Sequence, residues 1–304
     1  MECRNRSFFY QTKVEIYHIL CEWPFWVSTG LTVIICLLSE VYITGTAGNL
    51  SVWKAMVSIP REQLTDVSYC AEIIFSKLNI QRWFVVLLPV LAGFPSIHIF
   101  FEEWFGGGYF FVIIREGRYR YASVKAVSAA ICGGVSVFFG VVTYVLILYW
   151  HFPSLSQLPD EMSYIVDIYG GPLGIFTAVG SEIGNIAAVA AMFPILSLIL
   201  MVLLRQKFLA LTIPMMVQYL SDRFTDLWYG TLWKIAQSTG DMSIFEKGGV
   251  WTMLFPSNQL GMSSTFTSKT GLPMFVYYII LFTLFLLFLR LFYALLERRV
   301  KQYG

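Results

Sequence analysis

Charge is what this sequence has least of. Acidic and basic residues make up 13% of its 304 positions, about half the share of an ordinary soluble domain, while 57% of the residues are hydrophobic. No single soluble core absorbs that much apolar surface, so the surplus must face lipid. A net charge of +2 with no basic tail gives no footprint for nucleic acid. Histidine is scarce too. His18, His98 and His151 fall, on the topology derived below, at one membrane surface, within a span and at the opposite surface, so they do not share a metal. The chain has no GxxxxGK(S/T), and no lysine follows the triple glycine Gly106–Gly108, which excludes a phosphate cradle of that type. HExxH and GxSxG are also missing, and with them the zinc-protease and serine-hydrolase signatures. Five cysteines (Cys3, Cys21, Cys36, Cys70, Cys132) form no CxxC and no even framework, so no structural disulfide is expected. Charges run through the first 22 residues with no small-residue cleavage site, so no removable signal peptide is expected either.

Long apolar runs are abundant. A membrane-crossing helix needs about 20 predominantly apolar residues, and five segments pass: 24–43, 83–101, 127–150, 184–204 and 273–296. A sixth, 208–230, is weaker because Asp222, Arg223 and Asp226 fall in its last third. It is read as a span forming a tight hairpin with its predecessor, Arg205 and Lys207 at the turn. Residues 5–22 place Phe9, Ile16 and Leu20 against Lys13 and Glu15 at helical spacing, which predicts an amphipathic helix lying in the membrane surface. The expected fold is therefore an all-α polytopic membrane protein, a single domain of six transmembrane helices with an N-terminal interfacial helix.

Lys and Arg orient it. With the N-terminus in the cytoplasm, the inner segments hold twelve of them, in the groups 4–13, 115–125, 205–207 and 298–301. The outer segments 44–82, 151–183 and 231–272 hold seven over many more residues, and 151–183 holds none. Both termini are thus expected inside.

Within the spans, Glu40 reads as an interfacial carboxylate, and Asp222, Arg223 and Asp226 as an i, i+3 charge set; both are candidates for a gate or pathway. Arg290 lies near an inner end, where it can snorkel. Pro95, Pro194 and Pro214 predict kinks, and Gly133, Gly134 and Gly140 close helix approach.

The segment between the second and third spans carries the most detail: EEWFGGGYFFVIIREGRYRYASVK, residues 102–125. An acidic pair (Glu102, Glu103) closes a span, glycines 106 to 108 make a turn, and Phe110–Ile114 form an apolar run. Arg115, Arg118, Tyr119, Arg120, Tyr121 and Lys125 then lead into the next span. That order resembles the permease subunits of ABC-2 type exporters, as does the layout of the whole chain. The departures are a long first outer loop and two prolines, Pro89 and Pro95, in the second span. The resemblance implies a bacterial plasma-membrane permease that binds no cofactor itself. It further implies a separate ATPase chain that supplies ATP and Mg chemistry and docks on residues 102–126 (Phe110 and Phe111 included), and a second permease copy or paralogue. The cargo class stays open among peptide, lipid and hydrophobic compound. Two other classes stand beside it: a membrane interaction or immunity protein that transports nothing, and an intramembrane enzyme. Phe94 and His98 with Glu102–Glu103 partly resemble the intramembrane proteases that process prenylated proteins. Here the order is reversed, the arginine is missing and no second histidine follows in the later spans. His98 is instead expected to hydrogen-bond a neighbouring span.

Overall fold

The computed structural model describes residues 8–41, 50–60, 69–80, 82–157, 171–239 and 274–303. Helix α1 (Phe8–Cys21) is followed after one residue by α2 (Trp23–Leu38), at an angle of 62°. The break has a local cause: Glu22 is extended, and Pro24 sits in the first turn of α2, where its fixed φ starts a helix and its missing N–H costs nothing. α2 stops at Leu38 because Ser39 turns extended and places both its N–H (3.2 Å) and its Oγ (2.6 Å) on the Cys36 carbonyl. A two-residue antiparallel ribbon follows, β1 (Glu40–Val41) on β2 (Leu50–Ser51). Two short helices come next, α3 (Val52–Ser58) and α4 (Ala71–Ser76), then a 3-10 turn at Lys77–Ile80. The long elements are α5 (Arg82–Phe105), α6 (Gly108–Glu116) and α7 (Arg118–His151), then α8 (Pro172–Ala190), α9 (Phe193–Leu204), α10 (Lys207–Thr239) and α11 (Met274–Tyr303).

α7 is the hub, packed against α1, α2, α5, α8, α9 and α11. Three glycines allow it. A Cβ on Gly133 would lie 2.5 Å from the Ala92 carbonyl of α5 and 2.5 Å from Pro194 of α9. One on Gly134 would meet the Ala187 carbonyl and Ala191 at 3.0 and 3.1 Å, and one on Gly140 would meet Thr32 of α2 at 2.6 Å. Each glycine therefore admits a different neighbour, as small residues do in helix packing within lipid. Ser28 of α2 adds a hydrogen bond to the Leu91 carbonyl of α5 (2.5 Å), and Thr29 one to the Ser136 carbonyl of α7 (3.3 Å). Glu72 of α4 is buried and fully used: Tyr149 Oη, Ser154 Oγ and the Leu155 N–H donate to it at 3.1, 2.7 and 3.1 Å. That clamps α4 to the end of α7.

Among the described residues, four stretches are long and apolar enough to cross a membrane, at 83–105, 118–157, 172–204 and 275–301, and the count becomes five if the bent pair α1–α2 is one span. This is the make-up of a multi-pass, all-α membrane protein. It differs from the expected spans at three places. α2 has 16 residues, about 24 Å at 1.5 Å per residue, so it falls short of the straight span expected over 24–43. The fourth begins at Pro172, so 172–183, expected in an outer loop, is helical. It is also interrupted at Ala191–Met192, with Pro194 starting α9 rather than kinking one long helix. The segment 208–230 is helical as expected, but α10 is not among the stretches apolar enough to cross, because Asp222, Arg223 and Asp226 sit in it. The expected outer segment 231–272 is helical to Thr239 and lies outside the described residues beyond it; parts of 44–82 and 151–183 and residues 1–7 do so as well. Cys21, Cys36, Cys70 and Cys132 are free thiols. α11 faces outward: only 11% of its apolar stretch is buried, and Phe275, Ile279, Phe282 and Leu287 present the surface that lipid covers.

The glycines give a direct check. Gly133→Ala forces a Cβ onto a backbone carbonyl that cannot rotate away, and should cost about 1–3 kcal/mol. Gly30→Ala, with nothing within 4 Å of the new atom, should be neutral or stabilising by up to about 1 kcal/mol. Thermal unfolding of the detergent-solubilised variants distinguishes the two.

Candidate functional site

Residues 102–125 form a compact helix–turn–helix–turn–helix. α5 ends at Phe105, where the Gly106 N–H returns to the Glu102 carbonyl at 2.8 Å. A Cβ on Gly106 would sit 2.8 Å from that same carbonyl, and Gly107 has φ +75°, so both positions need glycine. α6 then runs for nine residues to Gly117, whose φ of 87° again lies where side chains are disfavoured. The apolar run is thus a short helix between two glycine joints.

α6 has two faces. Ile113 is buried in an aromatic and aliphatic cluster with Phe100, Trp104 and Tyr121, and Tyr109 stacks on Trp104 with centroids 4.2 Å apart. Phe110, Phe111 and Ile114 point outward, Phe111 with 76% of its surface exposed. A groove of about 900 Å³ opens beside them, walled by Phe110 and Ile114, by Arg118, Tyr119 and Arg120 of α7, and by Tyr293 and Lys301 of α11. Tyr119 meets Tyr293 edge-on at 5.3 Å. Arg299 donates to the Leu203 carbonyl at 3.2 Å, bringing the ends of α9 and α11 together. The basic groups around 118, 205 and 299 therefore gather at one end of the bundle.

Behind α6 lies the strongest polar feature. Lys125, nine-tenths buried in α7, donates to Glu15 of α1 at 2.5 Å and forms an ion pair with Glu103 of α5. Its ammonium lies 5.8 Å from the Tyr121 ring centroid. One turn and a little earlier, Arg120 Nε donates to Gln11 Oε1 at 2.6 Å. The sequence pattern set Glu15 with Lys13 against Phe9, Ile16 and Leu20. The structure turns it inward with Gln11, beside Ile16, Ile19 and Leu20, which pack against Ile99 and Cys132, and leaves Phe9, Val14 and Tyr17 exposed. Gln11 carries no signal of its own. Lys125 does, because a lysine at the mouth of a span must find an acid, but the sequence does not say which.

The remaining candidates separate. Glu102 is exposed and lies 3.3 Å from His98 one turn earlier. That histidine also meets the Trp23 ring at 5.3 Å, so its polar contact is within its own helix rather than with the neighbouring span expected. Arg115 reaches Glu116 at 2.8 Å on the exposed side. Glu40 lies in β1 at the far end of α2. Asp222, Arg223 and Asp226 lie on α10, where Arg223 Nε donates to Tyr219 Oη at 3.2 Å, and α10 packs on α5 and α9. Among the described residues no three His, Cys, Asp or Glu side chains are placed to hold a metal ion. No protein-family model, curated protein or solved structure matches the chain.

Removing one member of a buried ion cluster strands the others. Lys125→Met should destabilise the protein by about 3–5 kcal/mol. Adding Glu15→Gln and Glu103→Gln should return most of that loss, because neutral amides no longer need the ammonium. Unfolding temperatures of the single and triple variants read the difference; a triple variant less stable than the single one would show that the cluster is not one unit.

Proposed function

We propose that the chain is the membrane-spanning subunit of an ATP-driven exporter of the ABC-2 type, moved by a separate ATPase that docks on α6 and the groove beside it. The observation that carries this reading is α6 itself: a nine-residue helix, jointed by glycine at both ends, that exposes Phe110, Phe111 and Ile114 while its back is seated on the bundle. An exposed aromatic and aliphatic cluster at a membrane surface fits an apolar groove on a soluble partner. The surrounding Arg115, Arg118, Arg120 and Lys301 suit the anionic inner leaflet, so we place this end, and with it both termini, in the cytoplasm of a bacterial cell.

In this scheme the ATPase binds ATP and Mg, and this chain binds neither. Force applied to α6 turns it about Gly107 and Gly117, and the Lys125 cluster passes the movement to α1, α5 and α7 together. α10 completes a sixth crossing, with Asp222, Arg223 and Asp226 kept from lipid by protein. A second copy or paralogue supplies the other half of the conduit. The cargo is a peptide, a lipid or a hydrophobic compound.

The reading expects a P-loop ATPase encoded beside this chain, and co-expression with it is the test. Solubilisation in mild detergent should recover the two in equal amounts. Phe111→Asp together with Ile114→Asp should abolish recovery while leaving the unfolding temperature unchanged, since both side chains face outward. Failure to recover any ATPase with the unaltered chain would overturn it.

A further inference from the structure

Arg290 is a charge set in the apolar part of α11. It is exposed on a helix whose outer surface lipid covers, and no hydrogen bond or ion pair joins it to a described residue. A guanidinium facing hydrocarbon is costly, so its long side chain has to run along the helix to an anion at the membrane surface.

Steps of three and four residues place Phe282, Leu286, Arg290, Tyr293, Glu297 and Lys301 on one face of α11. Phe282 and Leu286 are exposed and lie one above the other. The other end of this face walls the groove of about 900 Å³, with Arg118, Tyr119 and Arg120 of α7 also lining it. Among the described residues its charges do not cancel. Glu297 holds Lys301 at 2.8 Å and lies close enough to Arg118 to be acted on by its charge. Glu116 is taken by Arg115, and Arg120 donates to the neutral Gln11, so Arg118, Arg120 and Arg290 leave an excess of positive charge. The depth is that of lipid headgroups. The apolar stretch of α7 starts at Arg118 and that of α11 ends at Lys301, and the Tyr119–Tyr293 pair stands where tyrosines gather at membrane interfaces.

We propose that this groove binds one anionic phospholipid, its phosphate held by Arg118, Arg290 and Lys301 and its acyl chains laid on Phe282 and Leu286. Arginine suits a phosphate because its fork donates two hydrogen bonds at once. A zwitterionic lipid brings an ammonium of its own against a basic wall, and a water-soluble phosphate gains nothing from the apolar track. The proposal does not depend on ATP-driven transport, and its test contains no ATPase, so either reading can fail without the other.

The test is equilibrium binding of radiolabelled dioleoylphosphatidylglycerol to the full chain in dodecyl maltoside. Saturable binding at about one lipid per chain is expected, with dioleoylphosphatidylcholine, identical in its acyl chains, competing roughly tenfold less well. Arg118→Gln and Arg290→Gln should each weaken binding roughly fivefold, and Arg290→Lys by less. Glu297→Gln should tighten it about twofold or more, a gain that damage to the fold would not give. Lys54→Gln on α3, at the end of α2 away from α1, should change it by less than about twofold. Unfolding temperatures confirm that each variant is folded; should Arg118→Gln not fold, the exposed Arg290→Gln carries the test. Glycerol 3-phosphate at millimolar concentration should not displace the lipid; displacement would assign the groove to a water-soluble phosphate and overturn the proposal. Binding that does not saturate, that is equal for the two lipids, or that is unchanged in Arg290→Gln overturns it as well.

Discussion

A buried lysine has to be paired. Lys125 enters the bundle near the start of α7, where an unpaired ammonium would cost several kcal/mol, and it finds Glu15 on α1 and Glu103 on α5. That one requirement draws three elements to a single point. It holds α1 with Glu15 inward beside Ile16 and Ile19, and it ties the end of α5 to that point before the glycine turn. It also gives α6 a fixed back. Arg120 and Gln11 repeat the constraint one turn nearer the surface. The two glycine joints, Gly107 and Gly117, stand on either side of α6, in front of that cluster.

Away from that end, α7 does the organising through what it lacks. Gly133, Gly134 and Gly140 remove three side chains and bring the backbones of α5, α8 and α2, and Pro194 of α9, into close contact. α11, by contrast, leaves most of its apolar surface outward. The result is a tight inner set of helices with an outer helix laid along it, joined at one end where Arg299 reaches the Leu203 carbonyl.

Much of this was legible in the sequence, and the failures have physical reasons. The amphipathic start, the turn at Gly106–Gly108 and the close approach along α7 follow from local residue types, because glycine and helical spacing act over a few positions. The partners of Lys125 were not legible: Glu15 lies 110 residues away, and any acid near that surface would have satisfied the sequence. Hydropathy misplaced two helix ends for a related reason. Ser39 ends α2 through two hydrogen bonds to one carbonyl while the apolar run continues to Ile43. Glu182 looks like the edge of a loop, yet it is buried inside α8. Glu72, an acid in a segment read as an outer loop, proves to be the clamp on α4, because it gathers donors that only the folded end of α7 supplies.

The central claim is that α6 is the surface on which an ATPase acts. A photo-cross-linking residue placed at Phe111 in living cells tests it most directly, with the same residue at Trp53, exposed on α3, as the comparison. Illumination should join Phe111, and not Trp53, to a chain that binds ATP. Cross-links from Phe111 to lipid alone, or to the nucleotide-binding chain equally from both positions, would contradict it.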